Sequence, residues 1–261
     1  MLSKFTKPIS IALFFFSFAH HASATVVEVR TTVGDFQINL FDETTPQTVQ
    51  NFLSYVNAGA YANNVVHRTS PSFVAQMGGF QFNDAFPPDA IATGAAVTNE
   101  PELSNVRGTI AMAKLGGNPN SATSQFFVNL ANNASNLDVQ NGGFTVFGQV
   151  IGDGMAVVDA IAALPRFGFA APFNEIPLRD YTGTDATNNV EVTIDNVVLI
   201  TDIVVIDPAV STNPTLNPVP NTLIDQTPTT PTTPNNDSGG GSFGVFLMLG
   251  LFASVFWRRR R

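Results

Sequence analysis

The 261 residues hold 12 Lys and Arg against 20 Asp and Glu, three His, one Trp and no Cys, and 44% of them are hydrophobic. Without Cys, disulfide frameworks, thiolate nucleophiles and thiolate metal sites are excluded together. Lys4, Lys7 and Arg258 to Arg261 sit at the two ends, so the middle is more acidic than the net charge of −8 suggests; nucleic acid, whose phosphates need clustered Lys and Arg, is excluded as a partner.

In chain order, residues 1–24 read as a signal peptide. Lys4 and Lys7 precede an apolar run from Ile9 to Phe18, and Ala22-Ser23-Ala24 supplies small residues before a cut at Ala24/Thr25. The run is too short to cross a bilayer, which takes roughly 20 residues. Residues 25–207 form the globular part. Val26 to Val33 and Phe36 to Phe41, joined through Gly34-Asp35, read as a β-hairpin. Thr45 and Pro46 start a helix with Thr as cap; Val49, Phe52, Leu53 and Val56 follow at helical spacing, and Gly59 stops it. From Tyr61 to Val150 short apolar runs alternate with Gly, Asn and Pro, the clearest strands being Phe126 to Val128 and Phe144 to Phe147. A second helix fits Gly154 to Leu164 with Asp153 as cap, and Val190 to Ile200 reads as a closing strand. Many strands and two helices predict a mainly β fold, a barrel with helices over its openings.

Residues 208–237, rich in Pro and Thr, cannot bury a core and read as a disordered linker. Residues 238–261 join a Gly-rich motif, an apolar run from Phe243 to Trp257 and four arginines. Positive charge stays cytoplasmic, so this order predicts a short membrane anchor with the globular part outside the cytoplasm. The tail resembles the GlyGly-CTERM sorting signal recognised by rhombosortase proteases. That resemblance implies processing and a mature protein at the cell surface or secreted; signal peptidase and a rhombosortase-type protease are then the expected processing partners.

Three segments carry the candidate chemistry: His67 to Phe80, Arg107 to Ala113, and Ser121 to Asn129, the last continuing through Leu137-Asp138 to Phe144 and Gly148. Beyond the signal, His67 is the only histidine, and Arg68 beside it opposes the imidazolium that a Ser-His-Asp relay would form. One His without Cys makes a poor zinc site, and no Gly-rich loop opens a helix after a strand. What remains is an arginine among apolar and amide side chains. That set suits rotation about an X–Pro amide, in which no bond is made or broken and the barrier of about 18–20 kcal/mol comes from C–N resonance. An apolar pocket would bind the ring, and a guanidinium donating toward the twisted nitrogen would weaken its overlap with the carbonyl.

His-Arg-x-x-Pro-x-Phe-Val-x-Gln-x-Gly-Gly-Phe from His67, Arg-Gly-Thr-Ile-Ala-Met-Ala from Arg107 and Ser-Ala-Thr-Ser-Gln-Phe-Phe-Val-Asn from Ser121 together resemble the cyclophilins, above all the exported bacterial branch. The resemblance runs from about Val26 to Ile200. It implies a closed eight-stranded antiparallel β-barrel capped by two α-helices, and prolyl isomerisation of exported or cell-surface polypeptides, with a non-catalytic proline-peptide-binding chaperone or interaction module as the alternative. Neither cofactor nor metal is expected, and the chain is expected to be a monomer. By position Arg68 matches the catalytic arginine and Gln76 the glutamine that helps hold Arg and substrate. Phe73, Val74, Phe127 and Leu137 match the proline pocket, Ala113 and Gln125 the groove for preceding residues, and Phe144 a wall where eukaryotic members carry His. Asn136 stands where the family often has an aromatic, and Met77 replaces a glycine, which implies an altered local backbone.

Overall fold

The computed structural model of the protein describes residues 25–208 and 216–224, so the expected signal peptide and C-terminal tail lie outside the described residues. β1 (Val26–Thr31) and β2 (Phe36–Leu40) form the expected hairpin, with Val29 opposite Phe36. After α1 (Pro46–Asn57) come β3 (Asn64–Val65), β4 (Arg68–Ser70), β5 (Val74–Met77), β6 (Phe80–Gln81) and β7 (Asp89–Ala90). Next are β8 (Thr109–Met112), β9 (Phe126–Asn129), the one-turn α2 (Ala134–Leu137), β10 (Val146–Ile151) and α3 (Gly154–Ala162). β11 (Arg166–Phe167), β12 (Ile176–Pro177), the short α4 (Gly183–Thr187) and β13 (Leu199–Asp207) complete the order. Eleven strands make one curled antiparallel half-barrel in the order β4-β5-β9-β8-β10-β2-β1-β13-β3-β6-β7, and β11 pairs with β12 apart from it. The fold is mainly β with few helices, as expected. The strand segments outnumber the eight anticipated, partly because only Val66-His67 separates β3 from β4 and only Gly78-Gly79 separates β5 from β6.

Side chains alternate across a strand, so β5, β8 and β9 each serve two faces. Ala75, Met77, Ile110, Met112, Phe126 and Val128 point inward to the main core, where α1 and α3 add Val49, Phe52, Val158 and Ile161. Phe52 lies 5.2 to 5.5 Å from the rings of Tyr61, Phe126 and Phe147, which fixes α1 against the sheet. Met77 continues β5 opposite Phe126 and points into the core, and Gly78 directly after it has a positive φ of 86°.

Other expectations need correction. Thr45 occupies the N-cap position of α1 as expected, but its side chain makes no cap bond; its hydroxyl donates back to the Phe41 carbonyl. The Glu100 carboxylate, distant in sequence, accepts from the Gln47 and Thr48 amides at 3.3 and 2.9 Å and from the Thr48 hydroxyl at 2.7 Å, so a charged acceptor meets the positive end of the helix. Asp153 likewise makes no side-chain cap. The closing strand is Leu199–Asp207, not Val190 to Ile200. Asn196 accepts from the Thr193 amide and donates to the Arg179 carbonyl, bending the chain just before the strand and leaving Val190 and Ile194 exposed. β10 begins at Val146, two residues later than expected. Within the stretch expected as a disordered linker, residues 216–224 are bonded to the globular part.

Candidate active site

Strand register builds the site. Arg68 of β4 stands opposite Gln76 of β5, Gln76 opposite Phe127 of β9, Phe127 opposite Ala111 of β8, and Ala111 opposite Val146 of β10. These residues form one cross-strand row on the outer face, and Val74, two residues before Gln76, shares that face. The predicted residues Val74, Ala113, Phe127, Leu137 and Phe144 fall in one apolar cluster with Phe41, Leu103, Ala111 and Val146, and Phe73 packs at its edge. The Phe127 and Phe144 rings meet edge to face at 5.9 Å. Most of this cluster is buried in its own contacts; Phe73 is its half-buried member. The floor is therefore apolar and well packed, with Arg68, Phe73 and Gln125 at its accessible margin.

Arg68 is held by a residue the sequence did not single out. Its Nε donates to Glu175 Oε2 at 2.9 Å, and the Glu175 carbonyl accepts from the Thr69 amide at 2.9 Å, so side chain and main chain of Glu175 both grip β4. The Arg68 side chain is 13% exposed, and its Nη1 is buried with no hydrogen-bond partner among the described residues. A buried donor left unpaired costs roughly 1–3 kcal/mol, which a bound acceptor would recover. Gln76, predicted to hold the arginine, instead donates through Nε2 to Gln125 Oε1 at 2.9 Å. Gln125 lies flat on Gly79, where a Cβ would come within 2.6 Å of its side chain; glycine is required there for that close approach.

A buried polar layer supports the floor. Asp138 accepts from the Ser104 hydroxyl at 2.6 Å and from the Asn105 amide and side chain at 2.8 and 2.9 Å. Asn105 also donates to the Phe144 carbonyl at 3.0 Å, and the Phe144 amide closes on the Leu137 carbonyl at 2.8 Å. Lys114, missed because a lysine in a strand-to-loop passage reads as solvated, is buried instead. Its Nζ donates to Asn99 Oδ1, Asn141 O and Gly143 O and stands 4.9 Å from the Phe144 ring centroid. Burial lowers its pKa to about 8.

The imidazole beside Arg68 is held neutral. His67 is buried with its ring 4.8 Å from Phe80, and its pKa falls to about 3, first through loss of hydration and then through the Arg68 charge, against a main-chain hydrogen bond with Val65 that raises it. Among the described residues no three His, Asp or Glu side chains converge to hold a metal ion.

Residues 26–182 match the family model described as "Cyclophilin type peptidyl-prolyl cis-trans isomerase/CLD". The chain belongs to that family. It is thereby an isomerase. A peptidyl-prolyl cis-trans isomerase of Acinetobacter baylyi is 44% identical over 150 residues, 56% of this chain and 77% of that protein. Peptidyl-prolyl cis-trans isomerase B of Escherichia coli is 38% identical over 161 residues, covering 59% and 94% of the two chains. Among solved structures, a cyclophilin type isomerase of Cryptosporidium parvum is similar with a TM-score of 0.51 at 23% identity, over 71% of this chain and 99% of that one, a likeness of fold.

Proposed function

We propose that the protein accelerates rotation about X–Pro bonds in polypeptides and that Arg68 is its catalytic group. The observation that carries this is the cross-strand row Arg68–Gln76–Phe127, in which a guanidinium with one buried, unpartnered Nη1 borders an apolar floor. A proline ring lies on Phe73, Phe127 and Leu137, with Val74 and Phe144 behind them, and the guanidinium donates toward the amide nitrogen as it loses planarity. Gln76 and Gln125, joined to each other, fix the carbonyl side, and Ala113 borders the preceding residues of the substrate. These donors favour the twisted amide over either flat isomer, which lowers the barrier in both directions. No proton leaves, in keeping with a neutral His67.

The same reading takes the sheet as a closed eight-stranded barrel. The segments 64–70 and 74–81 each run through two of the short strands; one pairs with β13 at Asn64-Val65 and the other with β9, which supports closure around the interior. It also takes the chain as exported, tethered by its C-terminal segment and released by a rhombosortase-type protease. The order of charge, apolar run and small residues at each end supports this. Intact-mass measurement of the mature protein tests the export part: a form retaining both Met1 and Arg261 contradicts it. For the activity, a protease-coupled assay on an X–Pro peptide should find fast turnover in the wild type and background rates in Arg68→Ala. Equal fast rates in the two folded proteins would end the assignment to Arg68, and background rates in both would leave a proline-binding chaperone as the better reading.

A further inference from the structure

Residues 216–224 lie across the loop that joins two walls of the floor. The Val219 carbonyl accepts from the Ser104 amide at 2.8 Å, and the Asn221 amide donates to the Glu102 carbonyl at 2.8 Å, an antiparallel bridge that sets Pro220 opposite Leu103. The ladder bonds come from the residues on either side of Pro220, so its missing N–H costs nothing there. Asn221 then ties three points together. Its Oδ1 accepts from the Leu223 and Ile224 amides at 2.9 and 3.1 Å, an Asx turn, and its Nδ2 donates to the Asp138 carbonyl at 3.1 Å. The turn brings Ile224 Cδ1 so near Gly143 that a Cβ there would lie 3.0 Å from it.

The loop so covered, 138–143, begins directly after Leu137 and ends directly before Phe144, both members of the apolar floor. Its course needs positive φ at three successive residues, Asn141, Gly142 and Gly143, at 51°, 74° and 71°, which glycine adopts freely and asparagine tolerates. The loop is tied from several sides. The Asp138 carboxylate and the Leu137–Phe144 hydrogen bond close its base, and the Lys114 ammonium holds the Asn141 and Gly143 carbonyls. Asn99 Nδ2 donates to the Gly142 and Gly143 carbonyls at 2.6 and 3.0 Å, and Asn141 Nδ2 donates to the Leu115 carbonyl at 2.9 Å. The 216–224 segment ties the opposite side, by the bond to the Asp138 carbonyl and the packing of Ile224 against Gly143.

We propose that residues 216–224 are a strap that sets the Leu137–Phe144 wall of the substrate site, with Asn221 as its positioning residue. This rests on the proposed isomerase site and deepens it: a segment with the composition of a linker is part of the machinery that shapes the proline pocket. A wall held less firmly must be ordered by each incoming substrate, so loss of the strap weakens binding more than it slows the chemical step.

The test uses the full chain with Asn221→Ala and Asn221→Asp. The first removes both the turn and the tie; the second keeps the Oδ acceptor and loses only the Nδ2 donor to Asp138. Hydrogen exchange, which does not depend on activity, should run about tenfold faster at the amides of residues 138–144 in both variants. KM for an X–Pro peptide should rise about threefold with kcat little changed. Loop exchange at the wild-type rate in Asn221→Ala overturns the strap, and so does faster exchange with unchanged KM, because the loop would then not set the wall. An inactive wild type with the same exchange pattern would instead count against the isomerase reading alone.

Discussion

Phe126 and Phe127 are neighbours on one strand, both almost fully buried, yet they belong to different parts of the molecule. Phe126 points into the main core against Phe52 and Tyr61, and Phe127 points outward to Phe144 in the row that begins at Arg68. The same alternation repeats at Ala75 and Gln76 and at Ile110 and Ala111. One set of strands thus provides a rigid interior and a preorganised outer face, and the stability of the first holds the geometry of the second.

The sharpest way to break this comparison is a pair of substitutions. Phe126→Ala should cost about 3–5 kcal/mol in urea unfolding, because the cavity lies in a close-packed interior. Phe127→Ala should show its excess effect in a raised KM for an X–Pro peptide when the folded fractions are matched. Comparable KM values in the two variants would erase the distinction between the faces.

Acid should strike the protein next. His67 has a pKa of about 3 in the folded protein against 6.5 for the free side chain, so below pH 6.5 the unfolded chain binds a proton that the folded one does not. Stability is therefore full above pH 6.5 and is lost as pH falls toward 3, by about 3 kcal/mol between pH 7 and pH 4. Urea titrations of the wild type and His67→Phe should show the difference between them shrinking over that range; a constant difference would contradict the buried neutral imidazole.

Within the outer face, Glu175→Ala should lower kcat roughly tenfold, as it frees the guanidinium from its one carboxylate partner among the described residues. Stability should fall by about 1–3 kcal/mol, since the largely buried Arg68 loses its Nε acceptor, so kcat is compared at matched folded fractions. An unchanged kcat would mean that Arg68 is positioned by β4 alone.

A separate alkaline test concerns Lys114, whose folded pKa of about 8 lies below the free value of 10.5. Between those values the unfolded chain holds more protons, so stability rises with pH there. The wild type should gain on Lys114→Met from pH 8 to 10.5 and run parallel to it below pH 8. Thermal unfolding across that range checks the sign.

Much of the fold could be read from local pattern: the first hairpin, the helices at Pro46 and Gly154, and the strand through Phe126. Each depends on spacing within a few residues. Contacts made across long sequence separations could not be read. Glu100 reaches back to cap α1, Glu175 comes from a Phe-rich loop to grip Arg68, and Asn196 diverts Val190 to Val198 from the sheet. The predicted site residues were legible through motif resemblance, and the register that aligns Arg68, Gln76 and Phe127 gives the physical reason they stand together. The 216–224 strap was hidden by composition, because Pro and Asn read as a spacer and only the position of Pro220 between two bonded neighbours makes it a partner for Leu103.

The central claim is that the Arg68 guanidinium favours a twisted prolyl amide. NMR exchange spectroscopy on an X–Pro peptide, with no coupling protease present, measures that rotation directly. Wild-type protein should raise the cis–trans exchange rate, and Arg68→Ala, at unchanged stability within about 1 kcal/mol, should lower catalysis about 100-fold or more. Exchange catalysed equally by a folded Arg68→Ala would contradict the account.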